Sequence, residues 1–330
     1  LSLNFRSTPA AMSLIEPTAE QKAKYVASVP YAELWSENII PGMVASSQSI
    51  LNLADAPLGP DDIVIASYPK SGTTWISEVV SAIAFGGDTV TIKGIAMEDR
   101  VPWLEIDIAK VVAAMPDSPV LAPKPPIPGL ALAKKRVFFT HIHSEYLPKA
   151  IKEGKAKLVY VARNPKDAAV SFYHFHRMAK HLGNQIDMPW NDYFPLFASG
   201  HIACGSWFKH ALGYWNFAKE HPANAKFVVY EDMKKDLMAV MEDLESFVGV
   251  PLSKEQRVAV VQHCSFGSMR DNKMTNREGW EHLFDDKGPK FMRKGIVGDW
   301  KNYFTVAQNE EFDELYKKKM TGSGLDFEFE

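Results

Sequence analysis

One short segment of the sequence combines a cation, hydroxyl groups and small residues in an order that suits an anion. Residues 68–75 read Y-P-K-S-G-T-T-W. In such a loop, small residues let main-chain N–H groups converge on an anion at a helix N-terminus. Lys70 adds a point charge, and the hydroxyls of Ser71, Thr73 and Thr74 add donors. The segment predicts a phosphate-type site, although ordinary strand-to-helix turns also favour Ser, Gly and Thr.

This loop differs from the Walker A motif of nucleotide triphosphatases. In that motif the lysine follows the second glycine, whereas here Lys70 precedes Gly72. Residues 227–232 (F-V-V-Y-E-D) nevertheless imitate the apolar run and acid that hold magnesium in such enzymes. A P-loop-type nucleotide kinase therefore stays as an alternative.

A histidine follows another apolar run and is a candidate general base. His141 ends the segment R-V-F-F-T-H, and an imidazole with a pKa of about 6.5 suits removal of a hydroxyl proton. His141-x-His143 is also a spacing used by metal ligands, but no acid cluster of matching pattern follows closely. A lone histidine at a strand end is usually structural, so from the residues alone the general base stays a candidate role and the metal ligand a less favoured one.

The elements that position these residues follow from apolar periodicity. Strands are expected at Ile63–Ser67, Arg136–Thr140, Lys157–Ala162 and Lys226–Tyr230. Helices are expected at Thr73–Phe85, Asn164 to about Lys180, Ala203–Lys219, Leu237–Val248, Lys254–His263 and Val306–Lys319. The alternation indicates a single α/β domain whose central, mainly parallel sheet is flanked by helices. Ligands of such sheets bind at the carboxyl ends of the strands.

Composition limits the classes of partner. Lysine and arginine number 37 against 40 acidic residues, so the sequence offers no overall cationic field for nucleic acid or a membrane. Two cysteines are too few for a disulfide framework. Without a long apolar run or a secretory signal, we expect a cytoplasmic location. Residues 1–11 are set aside as a disordered end or a remnant of processing or expression, 12–330 form the domain, and Pro116 to Pro128 suggests a loop or lid.

Three ordered segments resemble the cytosolic sulfotransferases. Residues 68–75 resemble the 5′-phosphosulfate loop of that family, Lys157 to Phe175 its 3′-phosphate segment, and Phe291 to Lys301 its R-K-G-x-x-G-x-W-K segment. The similarity extends from about Tyr25 to the end. It implies a sulfotransferase fold of the P-loop-NTPase-like type. It also implies transfer of a sulfuryl group from 3′-phosphoadenosine 5′-phosphosulfate (PAPS) to a hydroxyl or amine of a small, largely apolar acceptor, with release of adenosine 3′,5′-bisphosphate (PAP) and without a metal.

The resemblance also implies the roles of individual residues. His141 would be the general base, Lys70 would stabilise the leaving phosphate, and Ser171 would engage that lysine. The donor-binding residues would be Lys70, Ser71, Gly72, Thr73, Thr74, Trp75, Arg163, Ser171, Tyr230, Cys264, Ser265, Phe266, Met269, Phe291, Met292, Arg293, Lys294 and Gly295. The acceptor would contact Trp35, Trp103, His141, Phe175 and Phe284, an aromatic set suited to phenols or steroid-like alcohols. Lys301 to Glu310 matches the K-x-x-x-T-V-x-x-x-E segment of the family's homodimers.

Two departures from the family pattern leave alternatives open. Phe139 stands where the family usually has a lysine, and Cys264 where a threonine is common. A regulator that binds PAPS or PAP with little turnover is therefore an alternative, although Lys70, His141 and Ser171 are retained. Elimination from a sulfated allylic alcohol, which would amount to dehydration, also stays open.

Overall fold

The computed structural model describes residues 13–114, 126–277, 280, 282–285 and 287–330. The predicted terminal segment 1–11 and most of the predicted loop 116–128 lie outside these ranges. The strands are β1 (Glu33–Trp35), β2 (Asn38–Ile40), β3 (Asp62–Ser67), β4 (Arg136–Thr140), β5 (Lys157–Ala162) and β6 (Ala225–Val229). The first helices are α1 (Ala19–Ser28), α2 (Ser47–Asn52), α3 (Thr73–Ala84), α4 (Thr89–Lys93), α5 (Met97–Arg100), α6 (Ile108–Ala114), α7 (Lys149–Lys152) and α8 (Pro165–His176). The later helices are α9 (Trp190–Ser199), α10 (Trp207–Glu220), α11 (Tyr230–Lys235), α12 (Leu237–Val248), α13 (Lys254–His263), α14 (Phe266–Asp271) and α15 (Val306–Met320).

The central sheet is parallel and has the strand order β4-β3-β5-β6. Every residue of β3 is buried, because helices cover both faces of the sheet. Side chains alternate between the faces: Val64 and Ala66 join one apolar core, and Ile63 and Ile65 join another with α3. The predicted α/β fold with a mainly parallel sheet is confirmed. All four strands therefore end at one edge, where β3 leads into the predicted anion loop.

Three predicted element boundaries are wrong. The predicted helix from Asn164 to about Lys180 ends at His176, because the chain beyond it pairs with a distant segment: the main-chain N–H of Lys180 donates to the carbonyl of Leu283 at 2.9 Å. The predicted strand Lys226–Tyr230 covers residues 225–229, and its last predicted residue already begins α11.

The helix predicted from Ala203 begins at Trp207 instead. Cys204 and Gly205 have left-handed backbones, with φ of 65° and 66°, which an α-helix does not accept. The Ser206 side chain then caps the helix by accepting from the N–H of Lys209 at 3.3 Å. Apolar spacing alone carried no information on this turn.

A membrane-spanning helix would need a long, apolar stretch. None of the helices in the described ranges meets that requirement.

Candidate active site

The turn between β3 and α3 needs glycine at one position. Gly72 has φ of 107°, and a Cβ there would lie 2.8 Å from a ring carbon of Tyr230. The N–H of Ser71 donates to the carbonyl of Tyr68 at 3.2 Å, which closes the turn. The N–H groups of residues 73–75 start α3, where a helix offers no intrahelical acceptor. They are therefore the main-chain donors that this loop offers to an anion.

Lys70 points into a cavity bordered by aromatic rings. Its ammonium nitrogen lies 4.6 Å from the ring centre of Phe175 and 4.2 Å from that of Phe291. Burial lowers the Lys70 pKa to about 7, and the positive charges of Arg163 and Arg293 act in the same direction. The ammonium form thus needs a negative partner in the cavity.

His141 lies beside the loop at the carboxyl end of β4. Its Nδ1 is 2.8 Å from the carbonyl oxygen of Ser67. Because a carbonyl only accepts, Nδ1 carries the proton and the lone pair lies on Nε2. Burial lowers the His141 pKa to about 4, so the ring is neutral near pH 7. A neutral imidazole with an available lone pair is the form that a general base requires.

Sequence reasoning missed a carboxylate behind this histidine. The main-chain N–H of His141 donates to Oε1 of Glu105 at 2.7 Å. Glu105 is buried, and its pKa is raised by that burial. The residue lies in W-L-E-I, a segment without a motif, so only the fold brings it to His141.

Phe139, which stands where the resemblance implies a lysine, packs against Trp103 and His141. The rings of Phe139 and Trp103 stack with centres 5.7 Å apart and planes inclined by 16°. Phe139 also meets the His141 ring edge to face at 5.6 Å. At this point the cavity wall is therefore aromatic and uncharged.

Three cations converge on the predicted 3′-phosphate side. The Arg163 guanidinium lies 4.6 Å from the ring centre of Tyr230 and donates to the carbonyl of Ile296 at 2.7 Å. Asp299 forms ion pairs with Arg293 at 2.5 Å and Lys294 at 2.6 Å. Burial alone would raise the Asp299 pKa, but the hydrogen bonds from both cations outweigh it and lower the pKa to about 2. Asp299, which the sequence analysis did not single out, holds these two side chains together.

Aromatic faces lie beside these cations. The Trp75 indole N–H donates to the carbonyl of Cys264 at 2.9 Å, and its ring meets Tyr230 edge to face at 5.2 Å. Gly295 has φ of 64°, and a Cβ there would approach a ring carbon of Phe266 to 2.5 Å. The chain therefore crosses the Phe266 ring closely, which only glycine permits.

One cavity of about 580 Å³ contains nearly all of the predicted site residues. The predicted residues that line it are Lys70, Gly72, Thr73, Thr74, Trp75, Arg163, Ser171, Tyr230, Phe266, Met269, Phe291, Met292, Arg293, Lys294, Gly295, Trp35, Trp103, His141, Phe175 and Phe284. Residues far apart in the chain thus meet in one place.

Three predicted donor contacts lie beside the cavity rather than on its wall. The Cys264 side chain is buried in the core next to α3. The Ser265 hydroxyl caps α14 by accepting from the N–H of Ser268 at 3.4 Å. The Ser71 hydroxyl is buried and has no hydrogen-bond partner in the described part of the chain. Through their side chains, these residues shape the loop and the helix ends that the cavity wall is built on.

The structure also bears on two further points of the sequence analysis, the contact between Ser171 and Lys70 and the two histidines as metal ligands. Within the described ranges no hydrogen bond joins Ser171 to Lys70, although both line the cavity. His143 Nε2 lies 3.0 Å from the carbonyl of Cys204, while Nδ1 of His141 is bonded to Ser67. The two histidines therefore do not converge as ligands, and no cluster of three or more metal-ligating side chains occurs among the described residues.

Comparison with known proteins gives one consistent result. The sulfotransferase domain family matches residues 60–324. Sulfotransferase 1B1 of the dog is 40% identical over 278 residues, which cover 82% of this chain and 87% of that protein. Human sulfotransferase 1C2 is 39% identical over 269 residues, covering 81% of this chain and 86% of that protein.

Comparison with solved structures gives the same result. A retinol dehydratase in complex with retinol and PAP has a TM-score of 0.76 at 25% identity and covers 95% of this chain and 98% of its own. Mouse sulfotransferase SULT7A1 complexed with PAP has a TM-score of 0.64 at 31% identity, covering 88% of this chain and 95% of its own.

Proposed function

Because this chain belongs to the sulfotransferase family and is a PAPS-dependent enzyme, we propose that His141 and Lys70 carry the chemical step. The single observation that carries this assignment is the bond between Nδ1 of His141 and the Ser67 carbonyl, 2.8 Å long. It fixes the tautomer with its lone pair on Nε2, beside the loop that would hold the donor's 5′-phosphosulfate.

The transfer is an in-line displacement at sulfur. The acceptor oxygen attacks the sulfur while its proton passes to Nε2 of His141, and the bond between sulfur and the bridging oxygen of the nucleotide breaks. Negative charge develops on that bridging oxygen. The Lys70 ammonium stabilises it, together with the N–H groups of residues 73–75. Ser171 lines the same cavity and would restrain Lys70 from acting before an acceptor is bound.

No metal is needed for this step. A transferring sulfuryl group carries less negative charge than a phosphoryl group, so it demands less charge compensation than magnesium provides in kinases. Lys70, Arg163 and Arg293 already concentrate positive charge at the site, which adds to burial in lowering the pKa of the lysine to about 7.

The donor nucleotide would lie along the other half of the cavity. Arg163, Arg293 and Lys294 would bind its 3′-phosphate, for which guanidinium groups have a matching fork of donors. Trp75 and Phe266 would stack on the adenine. The close approach of Gly295 to the Phe266 ring supports this arrangement, since a main chain without a Cβ leaves room beside that ring.

The acceptor is a small molecule with a largely apolar body. Trp35, Trp103, Phe175 and Phe284 line the half of the cavity near His141 and suit a phenol or steroid-like alcohol. Androsterone and retinol occupy the two structures of retinol dehydratase that resemble this chain. Sulfation followed by elimination would turn an allylic alcohol into an alkene, and product analysis distinguishes this outcome from a stable sulfate ester.

A homodimer through Lys301 to Glu310 belongs to the same proposal. The segment leads into α15, and the side chain of Val306 is 76% exposed. The proposal rests on the match to the K-x-x-x-T-V-x-x-x-E segment, in which Val306 is the exposed apolar residue. A cytoplasmic location stays a prediction from the sequence.

The alternative nucleotide kinase has less support. Glu231 would be its magnesium ligand, but Oε1 of Glu231 accepts from the N–H and the side-chain amide of Asn164 at 3.0 and 2.8 Å. Oε1 thus holds the start of α8, while Oε2 has no hydrogen-bond partner within the described residues. The match to the sulfotransferase domain family over residues 60–324 is the stronger argument against the kinase. The regulator with little turnover also has less support, because the family to which the chain belongs is one of enzymes.

The deciding experiment is transfer of labelled sulfate from PAPS to a panel of phenols and alcohols with a metal chelator present. We expect product with chelator, and we expect the His141→Ala variant to lose turnover by about a thousandfold or more while still binding PAP. Tight PAP binding by the native protein without turnover on any acceptor would favour the regulator. Chelator-sensitive hydrolysis of ATP would favour the kinase.

A further inference from the structure

Besides His141 and His143, the cavity wall contains a third histidine, which the mechanism does not use. His181 lies in a 3-10 turn of residues 180–182 and lines the same cavity as His141 and Lys70. It is buried, with a relative exposure of 7%. Its Nδ1 has no hydrogen-bond partner within the described residues. His181 is thus a buried imidazole on the wall of a binding cavity whose hydrogen-bonding capacity the described residues do not fully satisfy, which makes it a candidate ligand contact.

Two other buried histidines, neither of which lines the cavity, have partners for both ring nitrogens, whereas His263 lies outside the cavity with Nδ1 unpartnered and Nε2 bonded to Glu78. In His176, Nδ1 lies 2.9 Å from the Phe172 carbonyl and Nε2 lies 2.8 Å from the Tyr25 hydroxyl. In His210, Nδ1 and Nε2 lie 2.9 and 3.1 Å from oxygen partners. These two histidines, which serve the core, therefore have both nitrogens satisfied.

The position of the His181 ring is held from both sides of its turn. Ala179 pairs with Phe284 across an isolated bridge. Gly183 follows with φ of 90°, and a Cβ there would lie 2.1 Å from the Ser28 carbonyl oxygen, so the chain is closely packed at this point. The ring meets Phe175 edge to face at 5.7 Å. Rotation of this turn to expose the imidazole to solvent would break these contacts.

The chemistry of the ring selects the kind of group it binds. Burial lowers the His181 pKa to about 4, so near pH 7 the ring is neutral, with one nitrogen a donor and the other an acceptor. A neutral imidazole does not compensate a carboxylate or phosphate. It suits a hydroxyl, which both donates and accepts, or a carbonyl oxygen.

We propose that His181 binds a second, uncharged oxygen group of the acceptor, at a distance from the hydroxyl that His141 deprotonates. This inference rests on the proposed function and narrows its acceptor class to bifunctional molecules: an apolar body with a reacting hydroxyl and another hydroxyl or carbonyl. The Phe175 ring lies 4.6 Å from the Lys70 ammonium and 5.7 Å from the His181 ring, so the acceptor body would extend across it.

Two series of probes test this with the full chain. One is 4-(ω-hydroxyalkyl)phenols with one to four methylene groups, and the other is 4-alkylphenols of matching length. Formation of the aryl sulfate from labelled PAPS gives kcat/KM for each. For at least one spacer length, the native protein should favour the hydroxylated probe, and His181→Leu should reduce that preference about tenfold, the size expected for one buried hydrogen bond. His181→Gln, whose amide donates and accepts, should retain part of it.

The controls separate this proposal from a merely structural role. His221 lies at the end of α10, where it stacks on Phe217, and it does not line the cavity. His221→Leu should leave the ratios unchanged. Equal ratios in the native protein and His181→Leu at every spacer length would overturn the inference, as would a uniform loss on both series. If His181→Leu does not fold, as judged by circular dichroism, the His181→Gln ratios decide. If the native protein sulfates alcohols but no phenol, α,ω-diols and 1-alkanols of matching length replace the two series. If it sulfates no acceptor at all, the proposed function fails and this inference falls with it.

Discussion

Activity should fall steeply above pH 7, because the Lys70 ammonium loses its proton there. Burial lowers the Lys70 pKa from 10.5 to about 7. The role of Lys70 in stabilising the leaving oxygen requires the protonated form, so kcat/KM for the donor, which reports the free enzyme, should decline as pH rises through about 7. With half of the lysine charged at pH 7 and about one part in a hundred at pH 9, we expect a fall of roughly 50-fold between them.

The assay measures kcat/KM for PAPS from pH 6.5 to 9.5 with an aliphatic alcohol as acceptor. Such a hydroxyl does not ionise in this range, whereas a phenol with a pKa of about 10 would mask the fall. His141 stays neutral throughout, because its pKa is about 4. Burial raises the Tyr230 pKa above 10, so this ring does not titrate in the window.

A matched variant tests whether Lys70 is the titrating group. In Lys70→Arg the guanidinium stays charged at every pH used. Whatever turnover it retains should therefore be flat between pH 7 and 9. A flat profile for the native protein, with circular dichroism unchanged at pH 9, would refute this account of Lys70, and an unaltered fall in Lys70→Arg would assign the titration to another group.

Two further outcomes follow from the structure. Gly295→Ala should weaken PAP binding about tenfold or more in calorimetry, because its Cβ would meet Phe266 at 2.5 Å and its φ of 64° disfavours alanine. The control Gly267→Ala should bind normally, since no atom lies within 4 Å of the new Cβ. Sedimentation at micromolar concentration should show twice the 36.9 kDa chain mass. Val306→Glu should yield the monomer, whereas the control Val258→Glu, at another exposed valine, should not. A single 36.9 kDa species for the native chain would contradict the proposed interface.

The succession of strand, anion loop and helix along the chain could be predicted from the sequence, because it depends on local patterns. The apolar run 63–67, the small residues of the loop and the next helical stretch predict a strand, an anion loop and a helix, and the structure has them at 62–67, 68–72 and 73–84. Parallel strands bring their carboxyl ends to one edge, so His141 and Arg163 could be assigned to the same site from the sequence alone. Each of these inferences needs only residues adjacent in sequence and one rule of topology.

What escaped prediction depends on contacts between distant segments. Glu78 lies inside the apolar face of α3, yet its carboxylate is fully buried and pairs with Arg100 at 2.9 Å. Glu105 bonds to the backbone of a residue 36 positions away. The turn that carries His181 is held by the hydrogen bond from Lys180 to Leu283 and by the pairing of Ala179 with Phe284. No periodicity marks these pairs, since each partner alone resembles an ordinary surface or core residue.

The two perturbed groups of the site share a physical cause and so constrain each other. Burial favours the neutral form of both His141 and Lys70, and the Lys70 charge further lowers the His141 pKa. For the general base the neutral form is useful, because only a neutral imidazole has a lone pair that can accept a proton. For the lysine it is a cost that only an anion beside it offsets. A bound phosphosulfate would supply that anion and raise the Lys70 pKa again. Binding of the donor would thus keep Lys70 in the protonated form that the reaction needs. The alkaline fall should therefore be weaker in kcat, measured with donor saturating, than in kcat/KM.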